Sequence, residues 1–485
     1  PMPYRKYLSK WRGTKDGNWS DAGNWLIDDG SELAADCLDQ TMAFDGGYAN
    51  TRISVDSGVQ AYQVRVYDCT APVAFVGKGS IELKGNTYTQ VLNWYDTAYA
   101  GAITSGSDHP VVFDVPVKAT ETFSMQYRNL AAIHGGRGYI AFTKQVEGGN
   151  VFAIQGDVRV AGNASAQNLL LHEQLKALPS KRTRLSVLPG GSIEATCQTM
   201  PQSGANCDMC IYSNATVTIR NDADAECLWG HDAERTPIEV KRFGLFDCRA
   251  PLGGSSKIAF AGEGEVRLAD TGTRATSDYP VVFDGVTFAV DRFAAGHPVI
   301  LKGSPTWASK ADWTYSLGEV AMPAGETLTV DTGDLDDASV AHSVRIDSPL
   351  AADRVVKAGV GTLTLGSADN RIGALRVDAG TLDISGAQSF GSLDFAAGTA
   401  LRLGGKDAHI SIASGGLDFT RFTIEVAPSA FSGMKSWTTV LTVPEGVAAS
   451  GTPVFASNVK VRVVEGEAGT SYQVKCATGF MTVIR

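Results

Sequence analysis

The chain has 485 residues, enough to bury a large core, and 53 of them are glycine, about 11% where roughly 7% is usual. Charged residues make up 19% and the formal net charge is −10, with the basic residues scattered, which argues against nucleic acid as a partner. No apolar run reaches the ~18 residues of a membrane-spanning helix.

The first twelve residues, "PMPYRKYLSKWR", carry Arg5, Lys6, Lys10 and Arg12 and no acid, so they hold +4 and the remainder −14. Tyr4, Tyr7, Leu8 and Trp11 stand among these cations. Such a segment suits an arm that docks on an acidic body, with apolar anchors inside a polar surround. An arm folded back on its own first coil is the alternative. The opening Pro1-Met2-Pro3 lacks an initiator Met in first place and an apolar signal region, and reads as a mature secreted chain whose signal has been removed. "GNWSDAGNW" follows, with Trp19 and Trp25 six residues apart between turn-forming Asn and Asp. Two indoles cover a large apolar area, so the segment reads as a lid on the first coil, with a sugar-stacking site as the alternative.

From Arg52 onward, phrases such as "TRISVDSG", "YQVRVYDC" and "VAFVGKGSIELKG" alternate apolar and polar residues, the mark of strands with one buried face. A larger duplication runs through them. "YDCTAPVAFVGKGSIEL" (67–83) answers "FDCRAPLGGSSKIAFAGEGEVRL" (246–268), and "SDHPVVFD" (107–114) answers "SDYPVVFD" (277–284). One helix is expected in "SAQNLLLHEQLKALP", with Ser165 as N-cap, Leu171, Leu175 and Leu178 on one face and Pro179 as stop.

Eight cysteines, Cys37, Cys69, Cys197, Cys207, Cys210, Cys227, Cys248 and Cys476, are an even number and read as structural disulfides of an oxidising compartment. The duplication makes Cys69 and Cys248 equivalent, with Cys37 as the expected partner of the first and one of Cys207, Cys210 or Cys227 as that of the second. Cys207 and Cys210 have zinc-knuckle spacing, but no second pair follows.

The clearest pattern lies between Gly359 and Gly405. Thr362, Thr381 and Thr399 open equivalent phrases at steps of 19 and 18 residues. Leu363, Leu365, Leu382, Ile384, Leu401 and Leu403 fall on one face of each phrase, and glycines flank them. A turn-bounded strand repeated about every 20 residues is one coil of a solenoid, which buries its apolar face against the coils above and below. After "FTIEVAP" the strands lengthen into "TTVLTVPEG", "VKVRVVEG", "SYQVKC" and "GFMTVIR", which read as hairpins. The final "FMTVIR", with Phe480, Val483 and Ile484, is an edge-competent strand open to augmentation by a neighbour.

"GVGTLTLGSADNRIGALRVDAGTLDI" (359–384) resembles the autotransporter-associated β-strand repeat of bacterial surface proteins, and "GNWSDAGNW" is similar to the opening phrase of such passengers. The resemblance implies a right-handed parallel β-helix exported to the bacterial surface. The sequence departs from that family in lacking a C-terminal series of alternating strands of about ten residues, so anchoring through a membrane barrel is not expected.

Catalytic signals are thin. Asp331, Asp334, Asp336 and Asp337 in "DTGDLDDAS" suit a solvated acidic turn, with calcium as the alternative. "HGGRG" at 134–138 lacks the ending of a phosphate loop, and no serine elbow stands in a strand–turn–helix setting.

The expected architecture is therefore all-β, a β-solenoid with a small C-terminal β cap. Its segments are an arm and Trp-rich cap (1–30), a first duplicated half (31–200), a second (201–340), regular coils (341–424) and a C-terminal cap or assembly domain (425–485). The expected function is a non-catalytic, cofactor-free secreted protein that assembles head-to-tail with itself into an extracellular filament or surface layer. Tyr4, Arg5, Lys6, Tyr7, Leu8, Lys10, Trp11 and Arg12 would form one side of the contact and Phe480, Val483 and Ile484 the other. A carbohydrate-binding surface adhesin, with surface glycans as partners, and a glycan-degrading β-helix enzyme are the alternatives.

Overall fold

The computed structural model describes residues 8–13, 16–27, 41–45, 51–61, 63–67, 69–84, 103–105, 109–119, 122–127, 138–149, 151–171, 183–199, 207–220, 227–228, 238–253, 258–270, 280–293, 299–405, 407–427, 436–455, 459–467 and 469–476. The described regular elements are strands, apart from the short 3-10 turn Ala22–Asn24. Contacts divide the chain into two compact units, Pro1–Arg267 and Leu268–Arg485, where the sequence pattern suggests finer segments.

In the first unit, Arg52–Ser54, Val73–Val76, Val111–Asp114, Ile140–Phe142, Asp157–Val160, Thr183–Val187, Cys207–Ile211, Ile238–Val240 and Ile258–Gly262 pair in that order, each parallel to the next. A second parallel ladder joins Asn163–Leu171, Ser192–Thr199, Thr216–Ile219 and Leu245–Gly253. Along the chain the strands alternate between the two ladders, and that alternation makes each circuit a coil of a parallel β-solenoid. The period-two pattern decides which side chains go in: Val158 and Val160 are buried while Asp157 and Arg159 between them face out. Register then places like over like. Phe75 lies opposite Phe113, and Phe113 opposite Phe142, with ring centroids 4.6 and 5.1 Å apart and planes inclined by 11°. Each such buried ring contributes about 1.5–3 kcal/mol by leaving water.

The helix expected from Ser165 is not formed. Asn163–Leu171 is a strand, paired residue by residue with Ser192–Thr199 on one side and with Val146–Glu147 and Val151–Gln155 on the other. Two ladders of backbone hydrogen bonds, with Leu169 fully buried, outweigh the local helical preference of its leucines. Leu175, Leu178 and Pro179 lie outside the described residues.

In the second unit, one parallel ladder runs through Thr306–Ser309, Thr327–Asp334, Leu350–Ala358, Arg371–Val377, Ala387–Phe395, His409–Ile412 and Thr438–Val443. The other runs through Trp313–Tyr315, Ser343–Ile346, Thr362–Leu365, Thr381–Ile384, Thr399–Leu403, Phe422–Val426 and Val454–Phe455. Leu363, Leu382 and Leu401 form one inward column and Leu365, Ile384 and Leu403 the next, each at most 2% exposed. The turn between coils explains the glycines. Gly380 has φ +68°, and a Cβ there would stand 2.3 Å from the Gly361 carbonyl oxygen of the coil before.

The parallel stack extends beyond residue 425, because Thr438–Val443 and Val454–Phe455 still pair in parallel. Among the described residues the antiparallel cap is the hairpin Val459–Gly466 and Gly469–Cys476, whose second strand also pairs antiparallel with Thr438–Val443. The duplicated phrases share a local structure: Val111–Asp114 and Val281–Asp284 are both strands with a fully buried phenylalanine, Phe113 and Phe283.

The inward columns predict a measurable cost. Leu382→Ala removes a fully buried side chain flanked by Leu363 and Leu401 and is expected to lower the unfolding free energy by about 2–5 kcal/mol in chemical denaturation. A change below about 0.5 kcal/mol would contradict the buried column.

Candidate functional site

The residues expected to form an assembly arm are placed only in part. Tyr4, Arg5, Lys6 and Tyr7 lie outside the described residues, as do Phe480, Val483 and Ile484. Leu8–Trp11 is a strand, antiparallel to Trp25–Ile27 and parallel to Thr41–Asp45, so this part of the arm folds onto its own first coil. Ser9 and Trp11 point in while Lys10 and Arg12 are exposed. Trp11 packs edge-on to Trp25 at 4.9 Å, and Trp19 packs on Trp25 at 5.3 Å and on Phe44 at 5.7 Å. Trp25 Nε1 donates to the Trp19 carbonyl at 2.7 Å. Three indoles are thus spent as a lid over Phe44 and Phe75, and Trp11 is not an outward anchor.

Cys37 lies outside the described residues, and of Cys197, Cys207, Cys227 and Cys476 only the backbone is described. Cys69, Cys210 and Cys248 are buried, and no disulfide joins two of these three. Cys69 Sγ lies 3.7 Å from the Phe44 carbonyl oxygen and donates to it. Cys210 is a free thiol, which removes it as the expected partner of Cys248. It sits on the outward side of its strand, where register places it opposite Glu239, and Sγ donates to Glu239 Oε2 at 3.5 Å. Burial, reinforced by the Glu239 charge, pushes the thiol up to about 11, so it is no nucleophile. Among the described residues no three His, Cys, Asp or Glu side chains converge as metal ligands.

The acidic turn uses its carboxylates on itself. Asp331 accepts from the Gly333 N–H at 2.9 Å, and Asp334 from the Asp336 and Asp337 N–H groups at 2.8 and 3.1 Å. Asp337 accepts from the Ser339 N–H and hydroxyl, and Asp336 pairs with Lys310 at 2.8 Å. His342 Nε2 lies 2.9 Å from Asp334, and this bond holds the Asp334 carboxyl below its usual range. These are the capping bonds of a tight turn.

Lys357 is a functional-looking group that the sequence reading passed over. It occupies an inward position between Val330 and Val377 and is fully buried. Its Nζ donates to Thr332 Oγ1 at 2.7 Å and to the carbonyls of Ala358 and Gly359 at 3.0 and 2.6 Å. Burial lowers its pKa to about 8, partly opposed by the Asp331 charge. With all three protons used and no surface exposure, it is a plug inside the core. The visible signal was the lysine at the inward phase of "RVVKAG".

Two surface features remain in the second unit. One is an open groove of about 610 Å³ lined in part by Asp353, Arg371, Gly373 and Gly391. Its two charged groups are already engaged: Asp353 accepts from the Gly325 N–H at 2.7 Å, and Arg371 pairs with Glu319. The other is the hairpin. Val459–Gly466 pairs on one side with Gly469–Cys476 and has no second strand partner among the described residues. Val461, Val463 and Val464 on it are 38%, 52% and 40% exposed, and Val454 nearby is 56% exposed. An edge strand of eight residues with exposed valines is a template for another strand. Arg462, which lies over the Trp437 ring at 4.5 Å and donates to Gln473 at 2.7 Å, holds the hairpin against Thr438–Val443.

No family model, curated protein or solved structure matches the chain. No helix among the described residues is long and apolar enough to cross a membrane.

Two outcomes follow from these side chains. Cys210 is expected to resist iodoacetamide at pH 8 in the folded protein and to react in urea, read by peptide mass spectrometry; rapid labelling of folded protein would overturn its buried, raised-pKa setting. Lys357 has a folded pKa below that of the unfolded chain, so between about 8 and 10.5 the unfolded state holds more protons and this group adds stability as pH rises. The stability of Lys357→Met relative to wild type should therefore fall by up to about 3 kcal/mol from pH 7 to pH 10 in urea titrations. A pH-independent difference would contradict it.

Proposed function

We propose that the chain is a non-catalytic structural β-solenoid, secreted to a bacterial cell surface, that associates with further copies of itself into a filament or layer. The reading is supported by the distribution of exposed apolar side chains. Of the nine large ones exposed among the described residues, four lie between Val454 and Val464, three of them on the cap's edge strand. Isolated exposed valines need no explanation, but a cluster on a strand paired on one side only among the described residues invites backbone pairing with a neighbour. The likeness of residues 359–384 to bacterial passenger repeats supports the surface location. The self-engaged carboxylates of the acidic turn support a non-catalytic role.

Association through this edge has a direct test. Replacing Val461 and Val463 together by lysine places charges on the strand, the ordinary guard of sheet edges. Wild type is expected to elute above monomer mass in light scattering, and the double variant as a monomer with unchanged circular dichroism and thermal midpoint. A wild type that stays monomeric at its highest soluble concentration would sink the reading.

A further inference from the structure

One turn of the first unit departs from the rule set by its neighbours. At this corner, successive coils place Gly190, Asn214 and Phe243 at equivalent positions: the Gly190 N–H donates to the Asn214 carbonyl at 3.2 Å, and the Asn214 N–H to the Phe243 carbonyl at 3.0 Å. All three are left-handed, with φ of +80°, +57° and +63°. Glycine and asparagine suit that conformation, and a phenylalanine there is an outlier. The residue is also 68% exposed. The cause of the exposure is the next coil. Val240 pairs with Gly262 and Gly244 accepts from the Glu265 N–H, so the turn that would cover residues 241–243 is replaced by the shorter Gly262–Gly264. Among the described residues Phe243 therefore has no register partner on the next coil.

Strain and apolar exposure in one residue gain the fold nothing, and strained, exposed positions cluster where ligands bind. The surroundings specify the ligand. Arg242 covers the Phe243 ring from one side, its Cζ 4.8 Å from the centroid. Tyr212, 37% exposed, stands one coil away, since Tyr212 follows Ile211, which pairs with Val240. Of the charged residues on these coils, Arg184 pairs with Asp208 and Lys241 with Glu239, and Arg242 and Glu263 are exposed in successive turns. The patch is thus polar but neutral, which disfavours phosphate or an acidic polymer. A neutral sugar matches it: one pyranose face carries polarised C–H groups that lie on the negative face of an aromatic ring, and its rim carries hydroxyls for the ionic side chains to bond. We propose that Phe243, with Tyr212 and Arg242, forms a stacking site for a neutral oligosaccharide. The proposal is independent of self-association, since these residues lie in the first unit and the edge strand in the second.

The test uses the full chain with maltotetraose, cellotetraose, chitotetraose and mannotetraose as probes, in saturation-transfer NMR and calorimetric titration. At least one probe is expected to bind, with Phe243→Gly weakening it about tenfold and Phe243→Trp staying within about threefold of wild type. Glycine suits φ +63°, so Phe243→Gly should keep or raise the thermal midpoint; Phe243→Asn, equally suited, repeats the measurement if it does not. Absence of binding by all four probes, or binding unchanged in Phe243→Gly or in its substitute Phe243→Asn, overturns the site. Unchanged oligomer mass in Phe243→Gly keeps this result separate from the association reading.

Discussion

The structure depends on one requirement: each strand must find backbone partners on the coil before and the coil after. A strand such as Thr381–Ile384 is too short to hold itself, and it is fixed by Thr362–Leu365 on one side and Thr399–Leu403 on the other. Because parallel register brings equivalent positions together, apolar residues recur at the same phase and stack into columns. The column tolerates an exception only when its polar atoms are answered. Lys357 interrupts the sequence Val330 to Val377 and is accommodated because Thr332 Oγ1 and two carbonyls take its three protons.

The same requirement makes irregular coils expensive at the strands and cheap at the turns. Inserts lengthen the circuits without changing the pairing of Val73–Val76 with Val111–Asp114 or of Asp157–Val160 with Thr183–Val187. A stack also leaves its outermost strands half paired. Leu8–Trp11 solves this locally by turning antiparallel to Trp25–Ile27 and sealing the coil with indoles. The hairpin at 459–476 covers Thr438–Val443 in the same antiparallel manner, and Val459–Gly466 then becomes the outer strand among the described residues.

Much of this was legible in sequence wherever phase and punctuation coincide. Leu363, Leu382 and Leu401 announce themselves because glycine turns bound every phrase and the step is nearly constant. The strand around Asn163–Leu171 was not legible, because its leucine run satisfies a helical face equally well and the deciding partner, Ser192–Thr199, lies a coil away. The arm illustrates a signal present but outweighed: Ser9 and Trp11 alternate with Lys10 and Arg12 as in any half-buried strand, while the basic charge suggested an arm docked on another copy. The pairing of cysteines could not be read, since it depends on which faces and coils carry them; Cys210, on the outer face beside Glu239, is the case in point.

Phe243 lies at the limit of such reading. "KRFG" is an ordinary turn in sequence, and what sets it apart is a relation between coils: a left-handed position inherited from Gly190 and Asn214, followed by a turn too short to cover it. In a solenoid the strands have no freedom to carry a binding group, because every change in them is imposed on two neighbours. Turns have that freedom, since a coil can lengthen or shorten there while its strands remain in register. A mismatch in turn length between consecutive coils is then the least costly way to present an aromatic ring to solvent on a rigid support. The rigidity comes from the ladder on either side, where Cys207–Ile211 pairs with Ile238–Val240 and that strand with Ile258–Gly262. Recognition by a single ring gains from this, because a platform already held in place loses little freedom on binding.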